Sequence, residues 1–137
     1  MSGKLHFLDT NILVYAYSED DPRKREVARN LLSSGDVVIS SQVLQEFANI
    51  TNRKLKVNWE NIKATITELS TKIPIWINSD ETILKACQIA SRYGYSFYDA
   101  LIISAALESQ SVFLVSEDLH SGHIIENQLE IINPFQG

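Results

Sequence analysis

The feature that most constrains the fold of this chain is an alternation of short apolar runs with longer helical segments. Five runs are expected to form strands: LHFL (5–8), VVIS (37–40), IWI (75–77), VFLVS (112–116) and EIINP (130–134). Most segments between them repeat apolar residues at a spacing of three or four, which predicts helices. Strands that alternate with helices form a mainly parallel sheet with helices on both faces. The sequence therefore predicts a three-layer α/β/α fold around a central, mainly parallel sheet.

Two of the predicted helices carry clear start and stop signals. Asp21 precedes Pro22 at the start of one helix, which is expected to end at Gly35. Ser79 begins another helix, which is expected to end at Gly94. A short polar side chain at the first position accepts hydrogen bonds from free backbone N–H groups, and glycine readily adopts the left-handed conformation that ends a helix.

The chain has 137 residues, of which 45% are hydrophobic and 21% charged, as in an ordinary globular protein. We expect one domain over residues 1–137. No apolar run approaches the ~20 residues that span a bilayer, and the single Cys87 cannot form an internal disulfide. These features predict a cytoplasmic protein. The helical spacing of Cys87 from Ile83 and Ala90 predicts that its thiol packs in the core.

Acidic side chains follow several of the predicted strands. Asp9 ends the first strand, Asp118 follows the fourth strand with Glu117 beside it, and Glu46 lies on the helix after the second strand. In parallel sheets, ligands bind beyond the carboxyl ends of the strands, where the strand order reverses. Asp99 stands near the start of a strongly apolar helix, where an unpaired buried charge would be costly. We therefore expect these acids to meet at one edge of the sheet.

Carboxylates that converge in this way need a counter-charge. They repel one another, and a dry cluster has raised pKa values unless divalent cations lie among the acids. Carboxylate oxygens suit Mg²⁺ or Mn²⁺, which activate water and stabilise the leaving oxygen in phosphodiester hydrolysis. Each acid taken alone also fits an ordinary role: Asp9 as a helix cap, Glu46 as a solvated helix position, Asp99 as a partner of the helix dipole and Asp118 as a turn residue.

Four motifs occur in order along the chain: FLDTNILVY (7–15), SSQVLQEF (40–47), SFYDALI (96–102) and VFLVSEDL (112–119). Together with the closing segment EDLHSGHIIENQLEIINPF (117–135), they resemble the PIN-domain nucleases, and specifically the VapC-like toxins of toxin–antitoxin pairs. The likeness covers essentially the whole chain. It implies an endoribonuclease that uses Mg²⁺ or Mn²⁺ and a metal-activated water, and that leaves 5′-phosphate and 3′-hydroxyl ends.

The resemblance also implies roles for particular residues. Four acids match the metal-binding positions of the family: Asp9, Glu46, Asp99 and Asp118. Asn11 and Ser116 match polar positions that would orient the carboxylates or the water. Either Glu117 or Asp118 could face the pocket, and the Ser-x-Asp spacing favours Asp118.

The formal charge of −5 argues at first against nucleic acid as a partner, because phosphates attract Lys and Arg. Without the four matched acids this charge becomes −1. The remaining cations are grouped at 23–25 and as Arg53, Lys54 and Lys56. The second group follows from the helix that carries Glu46, so it is the better candidate for contact with RNA phosphates. Such charge runs are also commonly plain solvated surface.

A small antitoxin is the partner that the resemblance implies. A VapB-like antitoxin would restrain the nuclease, and an arginine from its extended segment could pair with the acids of the site. The aromatic segment NILVYAY (11–17), with Tyr15 and Tyr17, is the candidate wall for an amphipathic antitoxin helix. We also expect a homodimer and no membrane association.

Several other functions stay open on the sequence alone. A phosphotransferase of the haloacid-dehalogenase kind also places an acid after the first strand, but its second acid would fall on Asn11. A receiver domain would need paired acids there and a late lysine at a strand end, and neither is present. A housekeeping RNA-processing nuclease without an antitoxin fits the same motifs, and so does a non-catalytic domain that binds RNA or a partner.

Overall fold

Helices and strands alternate along the computed structural model, which describes residues 4–136. In chain order the elements are β1 (His6–Leu8), α1 (Thr10–Ala16), α2 (Pro22–Ser33), β2 (Val37–Ser40), α3 (Ser41–Leu55), α4 (Trp59–Lys72), β3 (Ile75–Trp76), α5 (Asp80–Tyr93), α6 (Phe97–Glu108), β4 (Phe113–Val115), β5 (Ile124–Ile125) and β6 (Leu129–Ile132). Residues 1–3 and 137 of the predicted domain lie outside the described residues. None of the helices described is long and apolar enough to cross a membrane.

The strands form one sheet in the order β3-β2-β1-β4-β6-β5. Neighbouring strands are parallel except β5 and β6, which form an antiparallel hairpin. Helices flank the sheet, so the predicted α/β fold with a mainly parallel sheet is confirmed. Strand β5 is not predicted from the sequence, because it has two residues and its turn lacks the glycine that marks most tight hairpins. Glu126 and Asn127 adopt the left-handed turn conformation instead, with φ of 55° and 56°.

The strand order reverses between β1 and β4. From β1 the sheet extends through β2 to β3 on one side, whereas β4 and β6 lie on the other side. Leu8 pairs with Val115 at the ends of the two strands, and the N–H of Asp9 donates to the carbonyl of Val115 at 2.9 Å. The loops that follow β1 and β4 therefore meet where parallel α/β sheets bind their ligands.

The middle of the sheet and α6 form the centre of the core, to which every other helix also contributes buried residues. Every residue of β2 is buried, and so are Phe7 and Leu8 of β1. Helix α6 is buried from Ala100 to Leu107, as expected for a helix that is apolar on all sides. Its first turn is exposed and includes Asp99. The core thus holds the start of α6 at the rim of the sheet.

The predicted starts of α2 and α5 are confirmed. Asp21 caps α2 with its side chain, and Ser79 forms a reciprocal capping box with Thr82 at the start of α5. Gly35 follows α2 and Gly94 ends α5, both in the left-handed region with φ of +87° and +79°. That conformation costs glycine little, which is why these two positions stop the helices.

Several local predictions differ from the structure. Strands β1, β4 and β6 begin or end one or two residues away from their predicted bounds. Ile77 lies outside β3 and is 68% exposed. Cys87 is exposed as well, because α5 turns Thr82, Ala86 and Ile89 towards the core instead. Two adjacent faces of one helix can both carry apolar residues at a spacing of three or four, and the packing of α5 selects between them.

Candidate active site

An open cleft of about 630 Å³ lies at the carboxyl ends of β1 and β4. Its walls come from α1, α3, the first turn of α6 and the loop after β4. All four predicted acids line it: Asp9, Glu46, Asp99 and Asp118. The fold therefore brings together carboxylates that come from four separate segments of the chain.

Asp9 connects β1 to α1 and is buried, with 8% of its surface exposed. Its Oδ1 accepts a hydrogen bond from the N–H of Thr10 at 2.7 Å. Its Oδ2 accepts one from Oγ of Ser116 at 2.8 Å. Asp9 is the N-cap of α1 and also lines the cleft, so it has both the helix-cap role and the place in the site.

Burial raises the pKa of the Asp9 carboxyl from 3.8 to about 6. The hydrogen bonds from Ser116 and Thr10 lower this pKa, whereas the negative charges of Glu46 and Asp99 raise it. Removal from water and nearby like charges both disfavour the charged form of a carboxyl group. A cation in the cleft would oppose both effects, so the surroundings of Asp9 suit a cation ligand.

Asn11 and Ser116 link the loops that follow β1 and β4. Nδ2 of Asn11 donates to Oδ2 of Asp118 at 3.1 Å and lies 3.4 Å from Oδ2 of Asp9. Oδ1 of Asn11 accepts the N–H of Glu117 at 3.2 Å. Oγ of Ser116 accepts the N–H of Asp118 at 3.2 Å while it donates to Asp9. Both residues therefore contact the carboxylates that they are predicted to orient.

Glu46 is held through both of its carboxylate oxygens. Oγ1 of Thr10 donates to Oε1 at 2.5 Å, and Nε2 of Gln42 donates to Oε2 at 3.1 Å. Gln42 also donates to the carbonyl of Tyr98 at 3.2 Å, directly before Asp99. Neither Thr10 nor Gln42 is predicted from the sequence. The available signals are a hydroxyl beside the first acid and an amide four residues before the second, on the same face of α3.

Asp99 lines the cleft as expected, but its surroundings differ from those expected from the sequence. It lies in the first turn of α6 and is exposed, since the buried part of the helix begins at Ala100. The expectation that Asp99 is buried in the apolar helix is therefore wrong. Among the described residues no hydrogen bond to its carboxylate is formed, which leaves both oxygens available to a ligand.

Glu117 and Asp118 both line the cleft, but their side chains have different partners. Asp118 accepts from Asn11, whereas Glu117 forms an ion pair with Lys24 and accepts from the hydroxyl of Tyr15 at 2.5 Å. Burial raises the pKa of Glu117, but the hydrogen bonds from Lys24 and Tyr15 outweigh it, and the net shift from 4.5 is downward. Of the two acids, Asp118 is the one joined to Asp9, through Asn11.

The candidate RNA-binding cations separate in the structure. Arg53 and Lys54 line the cleft. Lys56 is the left-handed C-cap of α3, with φ of 60°, and lies outside the lining of the cleft. In the other basic group, Lys24 is paired with Glu117 and Arg23 donates to the carbonyl of Phe135 at 3.0 Å.

The acidic side chains of the cleft offer carboxylate oxygens, which are the ligand atoms that hard divalent cations prefer. Within residues 4–136, no three His, Cys, Asp or Glu side chains are grouped closely enough to hold a metal ion as they stand. Mg²⁺ usually keeps several water ligands and binds proteins through one or two carboxylates. Two carboxylates are therefore enough to bind Mg²⁺. Asp9 and Asp118 are the candidate pair, because Asn11 contacts both of them.

A family model described as the PIN domain matches residues 6–122. No curated protein matches the sequence significantly.

Solved structures share the fold of this chain. A chain of a toxin–antitoxin complex from Klebsiella pneumoniae superposes with a TM-score of 0.73 and 19% identity, over 96% of this chain and 98% of that one. VapC20 of Mycobacterium tuberculosis, a sarcin–ricin loop cleaving toxin, superposes with a TM-score of 0.65 and 23% identity, over 80% of this chain and 86% of that one. A chain of DNA-bound VapBC from Salmonella typhimurium superposes with a TM-score of 0.68 and 21% identity, over 96% of this chain and 99% of that one.

At these identities the solved structures establish a common fold. The family model covers most of the chain, including the segments that carry Asp9, Glu46, Asp99 and Asp118. The resemblance expected from the four sequence motifs is therefore confirmed, and the chain belongs to the PIN domain family.

Proposed function

We propose that this protein is a divalent-metal-dependent endoribonuclease and the toxin of a toxin–antitoxin pair. The observation that carries the proposal is the convergence of four carboxylates on one cleft where the strand order reverses. Membership of the PIN family supports a nuclease, and the shared fold with VapC20, a sarcin–ricin loop cleaving toxin, supports RNA as the substrate. We take residues 1–137 as one domain with this activity.

Asp9 and Asp118 would hold Mg²⁺ or Mn²⁺ directly, and the other two acids of the cleft, Glu46 and Asp99, would reach the metal through its water ligands. When bound, the metal supplies Lewis acidity, which lowers the pKa of water and stabilises negative charge on the phosphate. The protein positions the ligands for this task. Ser116 and Asn11 hold the Asp9 carboxylate, and Thr10 and Gln42 hold that of Glu46. Such partners of metal ligands fix the orientation of the ligand atoms.

The Asp9 carboxyl also releases a proton when metal binds. Because its pKa is about 6 without metal, its carboxyl is mostly charged at neutral pH but keeps a protonated fraction. This proton leaves the carboxyl group when a cation enters the cleft, since metal ligands bind in their deprotonated form. The affinity of the site for metal should therefore fall as the pH drops below about 6.

The proposal includes an antitoxin of the VapB kind. An arginine of its extended segment would pair with the exposed carboxylates of the cleft, Asp99 or Asp118. Of the two aromatic residues suggested as a docking wall, Tyr15 lines this cleft and Tyr17 does not. A homodimer and a cytoplasmic location complete the proposal.

The function is tested by controlled expression in a bacterial host. Expression of the parent protein should arrest growth, and sequencing of cellular RNA should reveal new 5′-phosphate ends. Co-expression of the cognate antitoxin should restore growth. The matched control is Asp9→Asn, which removes one charge from the cleft and should abolish both the arrest and the new ends.

Each component of the proposal can fail separately in this experiment. New RNA ends without growth arrest would leave a housekeeping nuclease and reject the toxin role. Identical ends with Asp9→Asn would show that the cleft is not the site of cleavage. Soluble protein without new ends would favour a non-catalytic PIN domain.

A further inference from the structure

A second open cleft, of about 460 Å³, adjoins the carboxylate cleft. Arg25, Arg29 and Lys54 lie in its walls, and we refer to it as the basic cleft. Asp20, Lys54 and Leu55 line both clefts, so the two lie side by side. A chain molecule bound in one cleft can therefore extend into the other.

The cations at this junction come from two helices. Arg25 and Arg29 are one turn apart on α2, so they share a face of that helix. Arg53 and Lys54 lie in the last turn of α3. None of these four residues forms an ion pair within residues 4–136. Like charges repel, so this arrangement gains from a ligand that carries several negative charges.

Arg29 is held in place by the fold. Its Nε donates to the carbonyl of Ala16, near the end of α1, at 2.8 Å. Its two terminal nitrogens form no hydrogen bond with the described residues, and the residue is exposed. A guanidinium fixed in this way loses little conformational freedom when it binds a phosphate. Glu19 and Asp20 also line the basic cleft, but they are outnumbered by its three cations.

We propose that the basic cleft binds the phosphodiester backbone of single-stranded RNA beside the cleavage position. This inference rests on the proposed function and specifies the form of its substrate. Six acids and two cations line the carboxylate cleft, which on its own repels phosphates. The basic cleft supplies the attraction that the carboxylate cleft lacks, because phosphate contacts provide most of the affinity for nucleic acid.

Two observations favour a single RNA strand over other anionic ligands. The path crosses from one cleft into another, which a flexible strand can follow more easily than a rigid double helix. Tyr17 lines the basic cleft and offers an aromatic ring among the cations, the combination that binds single strands with little sequence preference. An acidic peptide could pair with the cations, but it would have no reason to continue past the carboxylates.

The test is a salt titration of RNA binding without metal, so that no cleavage occurs. A fluorescent single-stranded oligoribonucleotide is titrated with the full-length protein in EDTA, and the slope of log K against log salt is measured. Each phosphate contact to a single strand contributes about 0.7 to that slope. The variant Arg25→Gln/Arg29→Gln should therefore reduce the slope by about 1.4, and Arg25→Gln alone by about 0.7.

Two controls separate binding from charge and from folding. Lys63→Gln/Lys72→Gln removes the same charge from exposed positions outside both clefts and should leave the slope unchanged. Arg29→Lys keeps the charge but loses the Nε bond to Ala16 and should also keep the slope of the parent. An equal loss in either control would overturn the proposal, because the effect would then come from net charge or from the fold.

The remaining outcomes distinguish this inference from the proposed function. An unchanged slope in Arg25→Gln/Arg29→Gln, with weaker binding of a polyglutamate peptide, would reject RNA and assign the cleft to an acidic protein segment. Cleavage of the same RNA by the parent with Mg²⁺ tests the function separately. Arginine-dependent binding without cleavage would keep the inference and reject the nuclease. Cleavage with an unchanged slope would reject the inference alone.

Discussion

At Asp9 the needs of the fold and of the proposed chemistry oppose each other. A buried carboxylate beside two other acids is unfavourable in the folded protein, as its raised pKa of about 6 indicates. The same position is where a cation gains most. The metal-free protein should therefore be less stable at neutral pH than it would be with an uncharged residue at this position.

The first prediction follows from the direction of this shift. The folded pKa of Asp9 lies above the unfolded value of 3.8, so its contribution to stability is greatest below about pH 4 and is lost as the pH rises to about 6. The loss is roughly 3 kcal/mol, at 1.36 kcal/mol for each unit of pKa shift. In EDTA, Asp9→Asn should gain stability relative to the parent protein across this pH range.

Urea denaturation at several pH values between 4 and 7 measures this difference. The gain should be smaller than the full amount, because asparagine offers one acceptor oxygen for the hydrogen bonds from Thr10 and Ser116. Asp80→Asn, which removes an exposed acid outside the cleft, is the matched control and should follow the pH curve of the parent protein. Parallel curves for the parent and Asp9→Asn would contradict the assigned pKa.

Residue identities at the site could be read from the sequence, but several of their surroundings could not. Strands are followed directly by Asp9 and closely by Asp118, and Glu46 lies on the helix after β2. Their meeting at one edge of the sheet therefore follows from the α/β pattern. The exposure of Asp99 and the turning of Glu117 towards Lys24 depend on contacts between distant segments. Hydrophobic periodicity carries no information about such contacts.

At the scale of elements, α2 and the loop after β4 are joined through one cluster. Lys24 of α2 pairs with Glu117, contacts the hydroxyl of Tyr15 at 3.3 Å and lies 5.2 Å from the ring centre of Phe135. Glu117 immediately precedes Asp118 in the loop. The cluster therefore fixes the loop that presents Asp118 to the cleft.

The second prediction is that Glu117→Gln destabilises the protein with a pH dependence opposite to that of Asp9. The pKa of Glu117 is lowered in the folded protein, so its contribution is present above 4.5 and is lost as the pH falls through the lowered value. At pH 7 the variant should lose about 0.5–1 kcal/mol, as for a partly exposed ion pair. Thermal unfolding at pH 7 and at low pH measures this change.

Glu68→Gln provides the control for this prediction, because its contact with Lys72 is long, at 4.0 Å, and highly exposed. It should not change the melting temperature at either pH. Equal destabilisation of Glu117→Gln at both pH values would mean that the side chain acts through packing and not through its charge.

Elements differ in how far the sequence predicts them. Capping residues act within one turn of the helix they begin, so Asp21 and Ser79 mark α2 and α5 reliably. The short strand β5 forms only because β6 is present beside it. The buried face of α5 is chosen by its packing against the rest of the fold. Both require the arrangement of the whole chain.

At the scale of the molecule, the strand order determines the site. The sheet places β4 beside β1, so the two loops that carry Asp9 and Asp118 are adjacent although the chain separates them widely. The sequence predicts a parallel sheet but does not predict this order. It also groups Lys56 with Arg53 and Lys54, whereas the fold places Arg25 and Arg29 of α2 near Lys54 instead.

The central claim is that the carboxylate cleft cleaves RNA with a divalent metal, and Asp99 gives its most direct test. Asp99 is exposed and bonded to no described residue, so Asp99→Asn should change stability by no more than the ~1 kcal/mol typical of a charge at a helix start. Loss of activity in this variant could not be attributed to the fold. Asp80→Asn, in the first turn of α5 and outside the cleft, is the matched control.

The measurement is the rate at which purified protein cleaves a single-stranded RNA as Mg²⁺ is increased. The parent and Asp80→Asn should cleave only with added metal and at similar rates. Asp99→Asn should be at least about 100-fold slower, because one charge-assisted contact in a site of this kind contributes about 3 kcal/mol. Equal rates for Asp99→Asn and the parent, or cleavage that persists in EDTA, would contradict the account.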